Sequence, residues 1–147
     1  MIKDTKFHWH PEDGVAVCVL TNEQGKVFVG EAFCHPDDLD MLSERTGCEI
    51  AFRRARIEYL RATRDNEIKP ALRSLKQLYY SMKLSSQFNP NSYENIMLQR
   101  HIRSLEFDLT TIKEILVDEL QRLREYIKGK DKVYQKIRLK NSQAENN

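Results

Sequence analysis

Ser85-Ser86-Gln87-Phe88-Asn89-Pro90-Asn91 decides the reading of this chain. The stretch is short, polar and carries one aromatic side chain. On either side of it, residues 46–84 and 92–139 repeat apolar residues at helical spacing. A connector of about seven residues makes two such arms antiparallel neighbours. In the second arm Ile102, Leu105, Leu109, Ile112 and Leu116 alternate three and four apart, and Leu123 and Ile127 keep the register. That pattern is a coiled-coil seam. Ile68, Leu72, Leu75, Tyr79 and Met82 of the first arm can answer it. Two capping patterns mark the helix starts. In Thr46-Gly47-Cys48-Glu49 and in Asn91-Ser92-Tyr93-Glu94, a carboxylate follows a small polar residue by three. Gly129 is expected to weaken the second helix locally, and the polar tail 140–147 is expected to fray.

The first arm carries cations on its apolar side. Each helical residue advances roughly 100°. With Arg53 at zero, Ile50, Ile57, Ile68, Leu72, Leu75, Tyr79 and Met82 fall within about a 100° sector, and Arg53, Arg54, Arg61 and Arg64 fall there too. A buried guanidinium is costly unless it is paired. These arginines should therefore meet carboxylates such as Glu49, Glu58 and Asp65, emerge at an oligomer boundary, or hold an anionic ligand. Arg56 lies off the stripe and is expected to pair along its own helix. Pro70 should leave the helix continuous while kinking it and shifting its phase.

Upstream of the arms the period changes to that of strands. Residues 1–9 suit an edge strand, and 14–20 (GVAVCVL) and 26–33 (KVFVGEAF) are β-branched runs. Thr21-Asn22-Glu23-Gln24-Gly25 joins the latter two, with Gly25 suited to a left-handed turn position. The 14–20 strand is apolar on both faces. It should be covered by helices on one face and by another subunit on the other. His35-Pro36-Asp37-Asp38 reads as a short helical start, with acidic residues at the positive helix end. The expected fold is α+β: a small N-terminal antiparallel sheet (1–45), a long antiparallel helical hairpin (46–139) and a disordered tail (140–147), in one domain.

Composition narrows the function classes. The chain has 147 residues, 31% of them charged, and a net charge of +2. That balance does not point to DNA, so basic sites must come from local clustering. The N-terminus has no apolar core of a secretory signal, and no run is long enough to span a membrane. Cys18, Cys34 and Cys48 are odd in number and lack zinc spacing, which fits reduced thiols in a cytoplasm. His8-Trp9-His10 puts two imidazoles on one face without a regular ligand set, so no metal is expected. There is no glycine-rich phosphate loop, nucleophile elbow or paired His/Glu motif, so the expectation is a binder rather than an enzyme, with no cofactor.

Two features suit an anionic, base-bearing ligand. Guanidinium forks such as Arg53 and Arg54 bind phosphates bidentately. The Phe88-Asn89-Pro90-Asn91 joint precedes a helix N-terminus, where backbone N–H groups favour anions. There Phe88 can stack on a base and Asn89 or Asn91 can read its edge. Tyr79 and Tyr80 precede the joint, and Arg100 and Arg103 follow it. The competing reading is a capped solvent turn with Phe88 tucked over the hairpin end.

The order of a valine-rich strand, KVFVGEAFCHPDD, TGCEIAFRRARIEYLR and a long helix after QFNPNSYEN resembles the Thoeris anti-defence 1 family of phage proteins. The likeness covers nearly the whole chain, and its specific parts are GEAFCHPDD and GCEIAFRRA. It implies an N-terminal antiparallel sheet followed by a long helical pair, assembled as dimers or hexamers. It also implies sequestration, without cleavage, of a cyclic ADP-ribose isomer made by TIR-domain immune enzymes in the host cytoplasm. Some members also hold cyclic oligonucleotides at separate sites. Family pockets place an aromatic residue and an asparagine around adenine and arginines on the phosphates. By position the candidates here are Phe88, Tyr79 or Tyr80; Asn89, Asn91 or Asn95; and Arg100, Arg103, Arg53 or Arg54. The alternative expectation is a helical module that docks and inhibits a host protein with no small ligand.

Overall fold

In a computed structural model, which describes residues 1–34 and 43–145, a three-stranded antiparallel sheet precedes the helices. The strands are β1 (Ile2–His10), β2 (Val15–Asn22) and β3 (Val27–Phe33), in the order β1-β2-β3. The helices are α1 (Glu44–Ala62), a π turn (Thr63–Ile68), α2 (Lys69–Lys83) and α3 (Tyr93–Glu145). The mixed α+β class expected from the strand and helix periods is the observed one. The expectation at His35-Pro36-Asp37-Asp38 lies outside the described residues.

The chain divides into two compact units: Met1–Tyr59 with the chain from Asp118 onward, and Leu60–Val117. In the first unit, Ala16, Cys18, Leu20 and Ala32 of the sheet bury against Ala51 and Ala55 of α1. Trp9, Phe28, Ile50 and Phe52 pack around them. The β2–β3 turn is closed by the buried Asn22, whose Oδ1 accepts from the backbone N–H groups of Gln24 and Lys26 at 3.0 and 2.9 Å. Gly25 has φ of +80°, the left-handed conformation the turn requires. On the far side of α1, Arg56 meets the buried Glu119 at 3.6 Å and Arg53 lies over the Tyr126 ring at 5.4 Å, so α1 and α3 run antiparallel here.

α1 therefore buries two faces, not one stripe. The sector through Arg53 and Ile57 faces α3. The opposite sector, with Gly47, Ala51 and Ala55 four residues apart, faces the sheet. A Cβ on Gly30 would overlap the Ala51 carbonyl oxygen and the Ala55 amide, so glycine is what allows β3 and α1 to approach this closely.

In the second unit the seam forms as its spacing predicts. Leu72, Ile112 and Leu116 are buried, with Ile68, Leu75, Tyr79, Met82, Ile102, Leu105 and Leu109 half-buried around them. Lys76 Nζ meets Glu106 at 3.2 Å and Gln99 Nε2 donates to the Tyr79 hydroxyl at 3.3 Å, so α2 and α3 are also antiparallel. The helix runs on through Pro70 by widening. Proline offers no N–H to the carbonyl of Asn66, and its ring crowds that carbonyl. The Lys69 N–H accordingly reaches back five residues to the Arg64 carbonyl, a π-type bond.

Three local expectations need correction. α1 starts at Glu44 rather than Thr46, because the Ser43 hydroxyl accepts from Thr46 N–H at 3.3 Å and is the cap. α3 is capped by Ser92 rather than Asn91, with Asn95 and not Glu94 three residues on. Residues 140–145 remain helical, since Lys140, Gln143 and Ala144 are good helix formers with no glycine or proline among them. Gly129 lies inside α3, a position where glycine is a poor helix former. Among the described residues no helix is long and apolar enough to cross a membrane.

Candidate functional site

The first unit contains a cleft of about 210 Å³ lined by the start of α1, the end of β3 and the 127–134 stretch of α3. Arg54, Lys130 and Asp131 supply its charges, and Trp9, Phe33 and Tyr134 its aromatic surface. Arg54 is held in place by a 2.7 Å bond from Nη1 to the Glu31 carbonyl oxygen. Arg53 is engaged differently. Its Nε comes within 2.9 Å of Glu49, but the N–H is not aligned for a hydrogen bond, so the contact is one of charge alongside the Tyr126 ring. The expected carboxylate partners of the arginine stripe thus account for Arg53, and for Arg64, which forks onto Asp65 at 2.8 and 3.0 Å. Those bonds, with help from Lys69, hold the Asp65 carboxyl down at about 2. Arg56 departs from its expectation by pairing across to α3 instead of along its own helix. Arg61 is exposed rather than part of the buried stripe.

The second unit contains a cleft of about 350 Å³ at the joint, lined by Met82, Ser85, Gln87, Phe88, Asn89, Ser92, Glu94 and Asn95. The joint is built by its own polar groups. Ser85 Oγ accepts from Gln87 N–H at 3.3 Å, and Asn89 Oδ1 accepts from Asn91 N–H at 3.0 Å. The Phe88 ring stands edge-on to Tyr79 with centroids 6.1 Å apart, and Tyr79 carries Lys83 over its face at 4.9 Å.

Asn95 is the centre of this arrangement. It is 3% exposed, and its Nδ2 donates to the Asn89 carbonyl at 2.7 Å and to Ser92 Oγ at 2.9 Å. The Asn89 carbonyl, which can only accept, fixes the amide orientation, because a flip would set oxygen against oxygen. Its Oδ1 is then buried without a hydrogen-bond partner. A buried, unsatisfied carbonyl costs about 1–3 kcal/mol. Asn95 is among the residues that line the cleft.

Comparison with family models, curated proteins and solved structures gave no match. The site therefore rests on its own geometry.

Of the residues singled out in the sequence, Phe88 and Asn89 line the joint cleft. Asn91 is exposed beside it and bonds to Asn89. Tyr80 is exposed, with its ring tilted against Tyr79 at 6.3 Å. Arg100 and Arg103 are exposed on α3 and are not among the lining residues. Arg53 and Arg54 belong to the first unit. The residues that sequence reasoning underweighted are Asn95, buried at the third helical position after its Ser92 cap, and Lys130 with Tyr134, which follow Gly129 in what looked like a weakening helix. Among the described residues no group of three or more His, Cys, Asp or Glu side chains converges.

Proposed function

We propose that the protein is a non-catalytic binder of a nucleotide with a purine-like base, and that the ligand is a cyclic ADP-ribose isomer of the TIR immune pathway, held intact. The observation that carries the reading is that Asn95, whose buried Oδ1 lacks a hydrogen-bond partner, lines the same cleft as Phe88. An exocyclic amine on a base supplies the donor that Oδ1 lacks, while an aromatic ring supplies a stacking surface worth about 1–3 kcal/mol per base. Arg100 and Arg103 lie on the same helix and unit and are exposed to meet phosphates. Cyclic oligonucleotides carry the same two groups, base and phosphate, and are the second ligand class to try.

Calorimetric titration with a cyclic ADP-ribose isomer, followed by denaturation and mass spectrometry of the released ligand, tests this. The expected result is binding with recovery of unaltered ligand, and Phe88→Ala should weaken it by about 5- to 100-fold without changing the assembly mass. Absence of binding heat, or recovery of a cleaved ligand, would overturn it.

A second reading has its own observation. Tyr93, Met97, Arg100 and Phe107 follow one another at heptad spacing on α3, and Phe107 is 71% exposed. Such a stripe suits docking of another helix, as in a module that binds a host protein. A complex that forms and persists without nucleotide, with no thermal shift from any nucleotide tested, favours that reading.

A further inference from the structure

The last third of α3 carries a concentration of positive charge that the whole-chain balance hides. Residues 126–140 hold Lys128, Lys130, Lys132, Lys136, Arg138 and Lys140 against one acid, Asp131. That stretch is therefore +5, and with a net charge of +2 for the chain the remainder is −3.

The cations are ordered as well as numerous. Lys128, Lys132, Lys136 and Lys140 follow one another at four-residue spacing, and Arg124 extends the series one step upstream. Each step rises about 6 Å and drifts only about 40° around the helix, so the five form a row along one side. All five are exposed. The opposite side of the same stretch, with Ile127, Lys130 and Tyr134, lines the first-unit cleft, so the row looks away from it. The acids nearest the row are Asp131 and Glu125, and Glu125 Oε1 accepts from Gln121 Nε2 at 3.0 Å. Among the described residues none of the five cations takes part in an ion pair.

Like charges four residues apart on a helix repel and destabilise it. The row contains four such pairs in succession. The attraction of cations to a helix C-terminus acts within the last turn, and α3 runs on to Glu145, so it does not account for Lys128, Lys132 or Lys136. An external line of negative charges with a similar repeat would neutralise the row. A nucleic-acid strand offers one, since its consecutive phosphates are separated by a distance close to one step of the row. A lipid surface fits less well. A helix lying in a membrane buries an apolar face there, whereas Leu139 alone of the exposed apolar residues stands among the lysines.

We propose that this row of five cations binds the phosphate backbone of a nucleic-acid strand, without reading its bases. RNA and DNA strands share that chemistry. The row belongs to the first unit and the joint cleft to the second, so the interaction does not depend on the nucleotide reading.

Fluorescence anisotropy of a labelled mixed-sequence RNA strand, and of the DNA strand of the same sequence, titrated with the full chain at several salt concentrations, tests this. The expected result is binding to at least one of them with a slope of log affinity against log salt of about −3, as four or five neutralised phosphates require on a single strand. Lys132→Gln combined with Lys136→Gln should make the slope shallower by about 1.4 and weaken binding at low salt by about tenfold or more, with unchanged circular dichroism. Lys113→Gln, exposed on α3 outside the row, should change neither. Binding of RNA alone, DNA alone or both in this way supports the proposal, and the comparison reads the contribution of the 2′-hydroxyl. No binding to either strand at low salt, an unchanged slope and affinity in the double variant, or co-sedimentation with phosphatidylserine vesicles while neither strand binds would overturn it.

Discussion

Gly30 of β3 and Ala51 of α1 touch backbone to backbone: a methyl group on Gly30 would occupy the space of the Ala51 carbonyl oxygen. Neither neighbour has a flexible side chain that can yield. Gly30→Ala should therefore destabilise the protein by about 1–3 kcal/mol or more, read as a lower urea midpoint. A midpoint equal to wild type would show that strand and helix separate more easily than this packing implies.

Gly129 is the opposite case. A Cβ there meets nothing within 4 Å, and the residue lies inside α3. Gly129→Ala should raise stability by about 0.4–1 kcal/mol through the smaller entropy of the unfolded chain. Thermal denaturation of the two alanine variants side by side should shift in opposite directions.

Glu119 is buried, and Arg56, its partner at 3.6 Å, is half-exposed. Arg56→Ala leaves that carboxylate without its counter-charge and should cost about 1–3 kcal/mol. Glu119→Gln introduced into the Arg56→Ala background should recover part of the loss. Equal urea midpoints for the single and double variants would show that the charge of Glu119 is already solvated.

Cys18 lies at the centre of the sheet–helix core, where burial, and secondarily the nearby Cys48, pushes its thiol up to about 11. The folded state holds this proton more tightly than the unfolded chain does. Its contribution to stability is thus complete below the ordinary thiol range and is lost as pH rises from there through about 11. Cys48 is also raised, by burial and then by Glu44, so it adds to the same window. Urea midpoints followed upward from neutral pH should fall in the alkaline range, and Cys18→Ala should flatten part of that slope while lowering stability at neutral pH.

The hairpin was legible in the sequence because leucine and isoleucine at three–four spacing mark a face without ambiguity. The sheet was legible because β2 and β3 are β-branched and separated by a glycine-ended turn. The second buried face of α1 was not. Gly47, Ala51 and Ala55 carry so little side chain that an apolar stripe does not register there, yet Ala51 and Ala55 are fully buried. Both helix starts were misplaced for a related reason, since several small polar residues in a row can each serve as a cap and only the folded backbone chooses among them. At the candidate site, Phe88 and Asn89 stood out as turn residues. Asn95 entered only as one of three asparagines that the resemblance offers, because an asparagine within the first turn of a helix ordinarily faces water.

The Arg53–Tyr126 and Arg56–Glu119 contacts join residues from opposite ends of the helical segment. The three strands, by contrast, pair only with neighbours in sequence. During synthesis the sheet and α1 leave the ribosome first and can close on each other at once. The other side of α1 stays bare until the C-terminal half of α3 has emerged. Ile57 and Arg53 are thus on the last surface of α1 to be covered, and a nascent chain stalled near the joint would present that surface to chaperones.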